Sequence, residues 1–175
     1  MKRLCFALLA ALAFSQGAEA QLARKVDILL LELSTGERVE ISLFPQDAPR
    51  NVARIEQLAR SGFYNNVIFH RVIKGFLAQT GDPTGLGTGG SNLPDVVDEL
   101  SSDEFVYGTV AMANLGPNTA NSQFFICSSC SFLSGHYSPV GKVTKGMEYI
   151  ERLPPGEPPS NPTRILRATV TTRWQ

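Results

Sequence analysis

The stretch Phe69–Gly90, FHRVIKGFLAQTGDPTGLGTGG, sets the reading of the chain: two short apolar runs, one carrying Arg71 and the other Gln79, lead into a glycine-rich turn. In extended backbone, side chains alternate between faces, so Phe69 and Arg71 are expected on one face and His70 on the other. A lone cation then emerges beside an aromatic, and His70 reads as a hydrogen-bonded structural residue rather than a catalyst. Leu77 and Gln79 share a face on the second run, while Gly75 lets the chain turn and aims Phe76 separately. From Gly81 to Gly90, five glycines with Asp82, Pro83 and two threonines make a tight surface loop.

A second stretch, Met112–Ile126, reads MANLGPNTANSQFFI. Small residues and turn formers lead into an apolar strand whose Gln123 and Phe125 share a face. With FLSGHY at Phe132–Tyr137, these two words in this order resemble the cyclophilin-type peptidyl-prolyl cis-trans isomerases, and the resemblance covers the chain after its first twenty-odd residues. It implies eight strands with two helical caps, and places Phe76, Leu77, Phe125 and Leu133 around a bound proline ring. Gln79 and Gln123 are implied as polar contacts, with the backbone of Ala113 and Asn114 gripping the peptide. Outside this motif the four apolar residues would read as core and Arg71 as a strand arginine in an ion pair. Phe132 stands where many eukaryotic members have tryptophan, and Tyr137 where they have histidine. Both resemble the bacterial exported branch, and the first implies weak binding of cyclosporin. Lys74, Thr80, Ser134 and Val140 replace a more usual proline, glycine, aspartate and phenylalanine, changes at the pocket rim and its loop.

The chemistry such residues allow follows from the X-Pro bond, a tertiary amide whose cis and trans forms interconvert behind a barrier of ~18–20 kcal/mol. Twisting breaks amide resonance and returns a lone pair to the prolyl nitrogen, so a donor aimed there binds the twisted state more strongly than either planar one. Arg71, permanently charged with a rigid fork of donors, suits that task. A charge-assisted hydrogen bond is worth ~1.5–3 kcal/mol and each tenfold in rate needs ~1.4, so Arg71 accounts for one or two decades. The remainder must come from a dry pocket holding the proline ring while the carbonyl side rotates. No nucleophile, metal or cofactor is required.

At 175 residues the chain is long enough for one domain with a sizeable core. Residues 1–20, MKRLCFALLAALAFSQGAEA, read as a secretory signal peptide: Lys2 and Arg3, an apolar core from Leu4 to Phe14, and Ala18-Glu19-Ala20 before Gln21. The apolar run is shorter than the ~20 residues a spanning helix needs, so no stable membrane anchor is expected. Cys5 is not followed by the sequence a lipid anchor would require. Residues 21–175 are then the isomerase domain. Of 16 basic and 16 acidic residues, cleavage removes Lys2, Arg3 and Glu19, which leaves a net charge of about −1 and no basic run suited to nucleic acid. The signal and the bacterial-looking pocket together point to the periplasm, although a signal alone equally allows secretion.

Cys127 and Cys130 remain, spaced Cys-Ser-Ser-Cys. An oxidising compartment would permit a bridge between them. Idle thiols, redox cycling and zinc are the alternatives, but the segment lacks the βαβ context of an oxidoreductase, and His136 as a third ligand still leaves zinc one short. Because the element lies between Phe125 and Phe132, a bridge would tighten the loop and alter activity, which titration of free thiols would test.

Elsewhere, Val26–Leu33 reads as a strand buried on both faces near its middle, and alternating Arg38–Phe44 pairs back on it as a hairpin with one wet face. Pro49 opens a helix, with Asp47 just ahead of its positive end, Val52, Ile55, Leu58 and Ala59 as its apolar stripe, and Gly62 as its close. Asp98 and Glu99 read as surface acids. Strands over 108–113, 122–127 and 140–144, a short helix from about Lys145 to Arg152, and a proline-rich loop over 154–162 lead to a last strand, 164–172. So many short strands with two helices suggest a mainly β fold, a closed antiparallel barrel capped by helices, since closure removes exposed edges. With the resemblance, the expectation is an eight-stranded barrel with two α-helical caps, in a monomer that turns over proline-containing segments of folding exported proteins. The rival is a module or chaperone that binds such segments without catalysis; it would need the aromatic pocket but no donor at the nitrogen.

Overall fold

The structure is a computed structural model and describes residues 25–174. The expected signal peptide, 1–20, lies outside the described residues.

Eight strands form in chain order: β1 (Lys25–Leu33), β2 (Arg38–Leu43), β3 (Arg71–Ile73), β4 (Leu77–Thr80), β5 (Thr109–Met112), β6 (Phe124–Cys127), β7 (Pro139–Lys145) and β8 (Ile165–Trp174). Two α-helices, α1 (Pro49–Arg60) and α2 (Met147–Ile150), and a 3-10 turn at Ser131–Leu133 complete the described elements. Every pairing is antiparallel, and the strands lie in the order β3-β4-β6-β5-β7-β2-β1-β8. Among the described residues no helix is long and apolar enough to cross a membrane.

That order corrects the closed barrel. β3 and β8 are the two ends of the sheet and no ladder joins them. Only scattered bonds span the gap, around a single bridge between Ile68 and Arg164, with Phe69 N–H donating to Thr163 O at 3.0 Å and Ile165 N–H to Val67 O at 2.8 Å. β3 is three residues long, the chain before it is irregular, and the segment before β8 is rich in prolines, which have no N–H to donate. The edge that closure would have removed is covered differently: the 154–162 loop lies along β3, and Val72 and Gly156 exchange both backbone hydrogen bonds, at 2.9 and 3.0 Å. An edge strand needs a cover, and a loop supplies it here.

The register decides which face each side chain takes, because residues opposite one another across antiparallel strands share a face. Val72, Ala78, Ile126 and Val110 form one such row, and Thr80, Phe124 and Met112 another. These rows face the main core, where α1 adds Val52, Ile55, Leu58 and Ala59, all buried. The rows Arg71, Gln79, Phe125, Ala111 and Ile73, Leu77, Cys127 face the other way.

Pro49 does open α1, yet the residue before it, Ala48, offers no side-chain cap. The N-terminus is served instead from far away in sequence: Glu99 accepts the N–H of Arg50 at 3.0 Å and of Asn51 at 2.9 Å, and the Asn51 side-chain amide at 2.8 Å. A carboxylate on the positive end of the helix satisfies both orphan donors and dipole. Glu99 is thus a structural cap rather than a free surface acid, taking the place expected for Asp47.

Candidate active site

The outward face of β3, β4, β5 and β6 carries a second, smaller apolar cluster. Leu77, Phe105, Ala111, Phe125, Cys127 and Cys130 are buried in it, with Phe76, Ala113, Leu133 and Tyr137 half-buried at its margin. A cavity of about 340 Å³ opens beside these residues, walled by Arg71, Phe76, Leu77, Gln79, Ala113, Asn114, Phe125, Leu133 and Tyr137. Phe125 forms its floor and meets Tyr137 edge-on, centroids 5.3 Å apart.

Two of the anticipated residues fall outside this wall. Gln123 lines a neighbouring depression of about 330 Å³ with the glycine loop. Phe132 is 68 % exposed and stacks on Phe76, centroids 5.4 Å apart, so it backs the wall without facing the cavity.

Arg71 donates a single hydrogen bond among the described residues, from Nε to the Glu157 carboxylate at 2.9 Å, and its two terminal nitrogens remain uncommitted. Gln79 lies opposite Arg71 in the ladder but turns its amide to Gln123 Oε1 at 2.8 Å. Gln123 in turn donates to the carbonyls of Gly87 and Gly89, at 3.1 and 2.8 Å. The two glutamines therefore tie the site to the glycine loop. The Ala113 N–H is already taken by Gln123 O at 2.9 Å, while the Asn114 N–H has no partner among the described residues and is available to a bound chain.

The glycine loop is organised by Asp82, which is wholly buried. Its carboxylate accepts the N–H groups of Thr84 at 2.8 Å, Leu86 at 3.2 Å, Gly87 at 2.6 Å and Gly89 at 3.1 Å. Burial by itself raises the Asp82 pKa, but these donors and the Thr84 hydroxyl outweigh it and hold the carboxyl below its ordinary value. Gly81 leads into this loop at φ +93°, where a Cβ would sit 2.3 Å from Ser122 O, so both conformation and space require glycine.

Two expectations for the opening stretch are corrected. Phe69 and Arg71 do not share a face: β3 begins only at Arg71, and Phe69 belongs to the main core with Val72. His70 is buried, but neither ring nitrogen has a hydrogen-bond partner among the described residues, unlike the hydrogen-bonded structural residue expected. Burial lowers its pKa, outweighing the opposing pull of the Asp82 carboxylate, and so disfavours the charged ring.

Three of the four residues that replace more usual ones have local partners. Thr80 is buried and donates to Ile68 O at 2.9 Å, Ser134 Oγ accepts the Phe105 N–H at 2.8 Å and bonds Ser131 O, and Val140 packs in the main core. Cys127 and Cys130 are joined as a disulfide, Cα atoms 5.8 Å apart, and both are buried. Cys130 immediately precedes the 3-10 turn that presents Phe132 and Leu133.

An antiparallel eight-stranded sheet with an aromatic-lined cavity, one arginine on its wall and a glycine loop alongside is the class of fold and site that the chain presents. The comparisons give the class its family. The model of the cyclophilin type peptidyl-prolyl cis-trans isomerase/CLD family matches residues 28–170, and the chain belongs to that family. The probable peptidyl-prolyl cis-trans isomerase of Brucella suis biovar 1 is 43 % identical over 188 aligned positions, covering 96 % of this chain and 95 % of the relative. Peptidyl-prolyl cis-trans isomerase-like 1 of Emericella nidulans is 41 % identical over 74 % of this chain and 86 % of its own length. Among solved structures, the cyclophilin type isomerase of Cryptosporidium parvum superposes with a TM-score of 0.77 at 33 % identity, covering 83 % of this chain and 98 % of that one. The same protein crystallised in the presence of the dipeptide Ala-Pro gives 0.76 at 32 % identity, covering 82 % and 98 %.

Proposed function

We propose that Arg71 is the donor that stabilises the twisted amide, in a chain that is, with its family, a peptidyl-prolyl cis-trans isomerase acting on proline-containing peptide segments. The observation that carries this role is the guanidinium on the wall of an apolar cavity with its two terminal nitrogens uncommitted. The proline ring enters over Phe125, between Phe76, Leu77 and Leu133. The Asn114 N–H and the Ala113 carbonyl hold the peptide backbone, and Gln79 offers its free Oε1. With the ring held on this floor, the carbonyl side rotates, the prolyl nitrogen pyramidalises, and Arg71 donates to its emerging lone pair.

The chain is of the bacterial exported branch: a signal over 1–20 sends residues 21–175 to the periplasm, where it works as a monomer on folding exported proteins, without a stable membrane anchor or nucleic-acid partner. Phe132, exposed at the rim, binds cyclosporin weakly. The Cys127–Cys130 bond anchors the turn that carries Leu133 and shapes one side of the pocket. Sequencing the N-terminus of the protein recovered from a periplasmic extract tests the export; an intact Met1 in a cytosolic fraction refutes it.

The decisive experiment measures cis–trans exchange of an Ala-Pro peptide by NMR with the native protein and with Arg71→Ala at equal concentration. Acceleration lost in the variant with peptide binding retained supports the role of Arg71. Binding without acceleration in either protein would establish the rival, a module that only holds such segments.

A further inference from the structure

We propose that Glu157, from the proline-rich loop, is a positioning residue for Arg71: its carboxylate takes the Nε–H at 2.9 Å and fixes the plane of the guanidinium, leaving the two terminal NH₂ groups of this cavity-wall residue uncommitted. The inference rests on the reading of Arg71 as the donor to the prolyl nitrogen.

The arrangement is built by backbone register. Val72 and Gly156 exchange both of their backbone hydrogen bonds, making them a hydrogen-bonded antiparallel pair. The next pair outward is Arg71 opposite Glu157, the position at which side chains lie closer together. Gly156 makes that register possible. Its φ is +147°, and a Cβ there would sit 2.6 Å from Pro159 Cα and 2.8 Å from Pro159 N, so the loop requires glycine at the residue that delivers Glu157.

The pair is too exposed to be a stability device: the Arg71 and Glu157 side chains are 35 % and 54 % accessible, and ion pairs in such settings contribute little to folding. What it supplies is orientation. An arginine side chain has several rotatable bonds, and a donor that must meet a lone pair appearing only in the twisted state gains from having its plane set beforehand. The alternative holder is Gln79, directly across the ladder, but its amide is turned away to Gln123. Nε is also the one guanidinium nitrogen that can be engaged while both terminal groups stay free as a fork.

The test is a double-mutant cycle read by NMR exchange of the Ala-Pro peptide. Glu157→Ala is expected to lower kcat about tenfold, equivalent to about 1.4 kcal/mol, with KM and the melting temperature nearly unchanged. Glu157→Gln, which keeps an acceptor oxygen in place, is expected to restore most of that rate. In an Arg71→Ala background, Glu157→Ala should cost nothing further. A readout independent of activity is the Arg71 Nε–H resonance, which should be slow to exchange with solvent in the native protein and lose that protection in Glu157→Ala. If Glu157→Ala is as fast as or faster than the native protein while Arg71→Ala is slow, the inference falls and the role of Arg71 stands. An equal loss in both backgrounds overturns the inference in the same way. If Arg71→Ala is itself as fast as the native protein, both fall together.

Discussion

Phe124 and Phe125 are neighbours on β6 and each meets a tyrosine edge-on, Phe124 with Tyr64 at 5.5 Å and Phe125 with Tyr137 at 5.3 Å. Their surroundings differ. Phe124 and Tyr64 are sealed inside the main core, with α1 and most strands contributing to the packing. Phe125 packs against a cluster whose margin is half exposed and bounded by a short turn, a disulfide and a cavity. One face of the strands is filled by the main core; the other keeps a cavity, where the proposed proline ring would enter. The same alternation of side chains serves both, and what separates them is whether another element closes over the face.

Substitutions on the two faces should therefore fail in different ways. The largest effect is expected from Phe124→Ala, which opens a void in the sealed core and costs about 3–5 kcal/mol, a fall in Tm on the order of 10 °C by calorimetry. Its activity per folded molecule should remain near native, and a selective loss of activity without a fall in Tm would undo the distinction. Arg71→Ala should do the reverse: kcat/KM falls by one to two decades, about 1.5–3 kcal/mol of lost stabilisation of the twisted state, while Tm stays within a degree or two.

A smaller change sharpens the comparison at the boundary between helix and loop. Glu99→Ala removes the acceptor for the first N–H groups of α1 and should cost about 1 kcal/mol, lowering Tm by roughly 2–4 °C. Because α1 packs on the core face, exchange of the Ala-Pro peptide by the variant should be unchanged, and amide exchange at Arg50 and Asn51 should quicken. The smallest effect concerns His70. Its folded pKa lies below the ordinary 6.5, so as pH falls below 6.5 the unfolded chain takes up the proton first and stability declines, continuing until the folded pKa is passed. Above that range His70 contributes no pH dependence. Urea midpoints between about pH 7.5 and pH 5.5 should fall less steeply in His70→Gln than in the native protein. An identical slope in both would mean that another group titrates in this window.

The legible part of the fold is the part with a local signal. The alternation in Arg38–Leu43, the stripe of Val52, Ile55, Leu58 and Ala59, and Pro49 at the start of α1 each arise from residues a few positions apart. The first strand phase was less legible, because Phe69 and Arg71 look equivalent in an extended segment and only the irregular backbone before Arg71 sends them to different faces. Closure was not legible at all. Strand count and the need to hide edges favour a barrel, but a proline-rich loop can cover an edge as well as a strand can, and nothing local distinguishes the two solutions.

By itself, then, the sequence determined the strands, the amphipathic helix and the glycine loop, and pointed to a candidate site around Arg71, since periodicity, turn chemistry and the two long motifs are written in consecutive residues. The tertiary structure alone decided which acids act and where the sheet stops. Glu99 is 49 positions from Arg50, whose N–H it accepts at the start of α1, and Glu157 is 86 from the arginine it holds. A carboxylate's partner is set by which backbones come into register, and register between distant segments is a property of the packed chain.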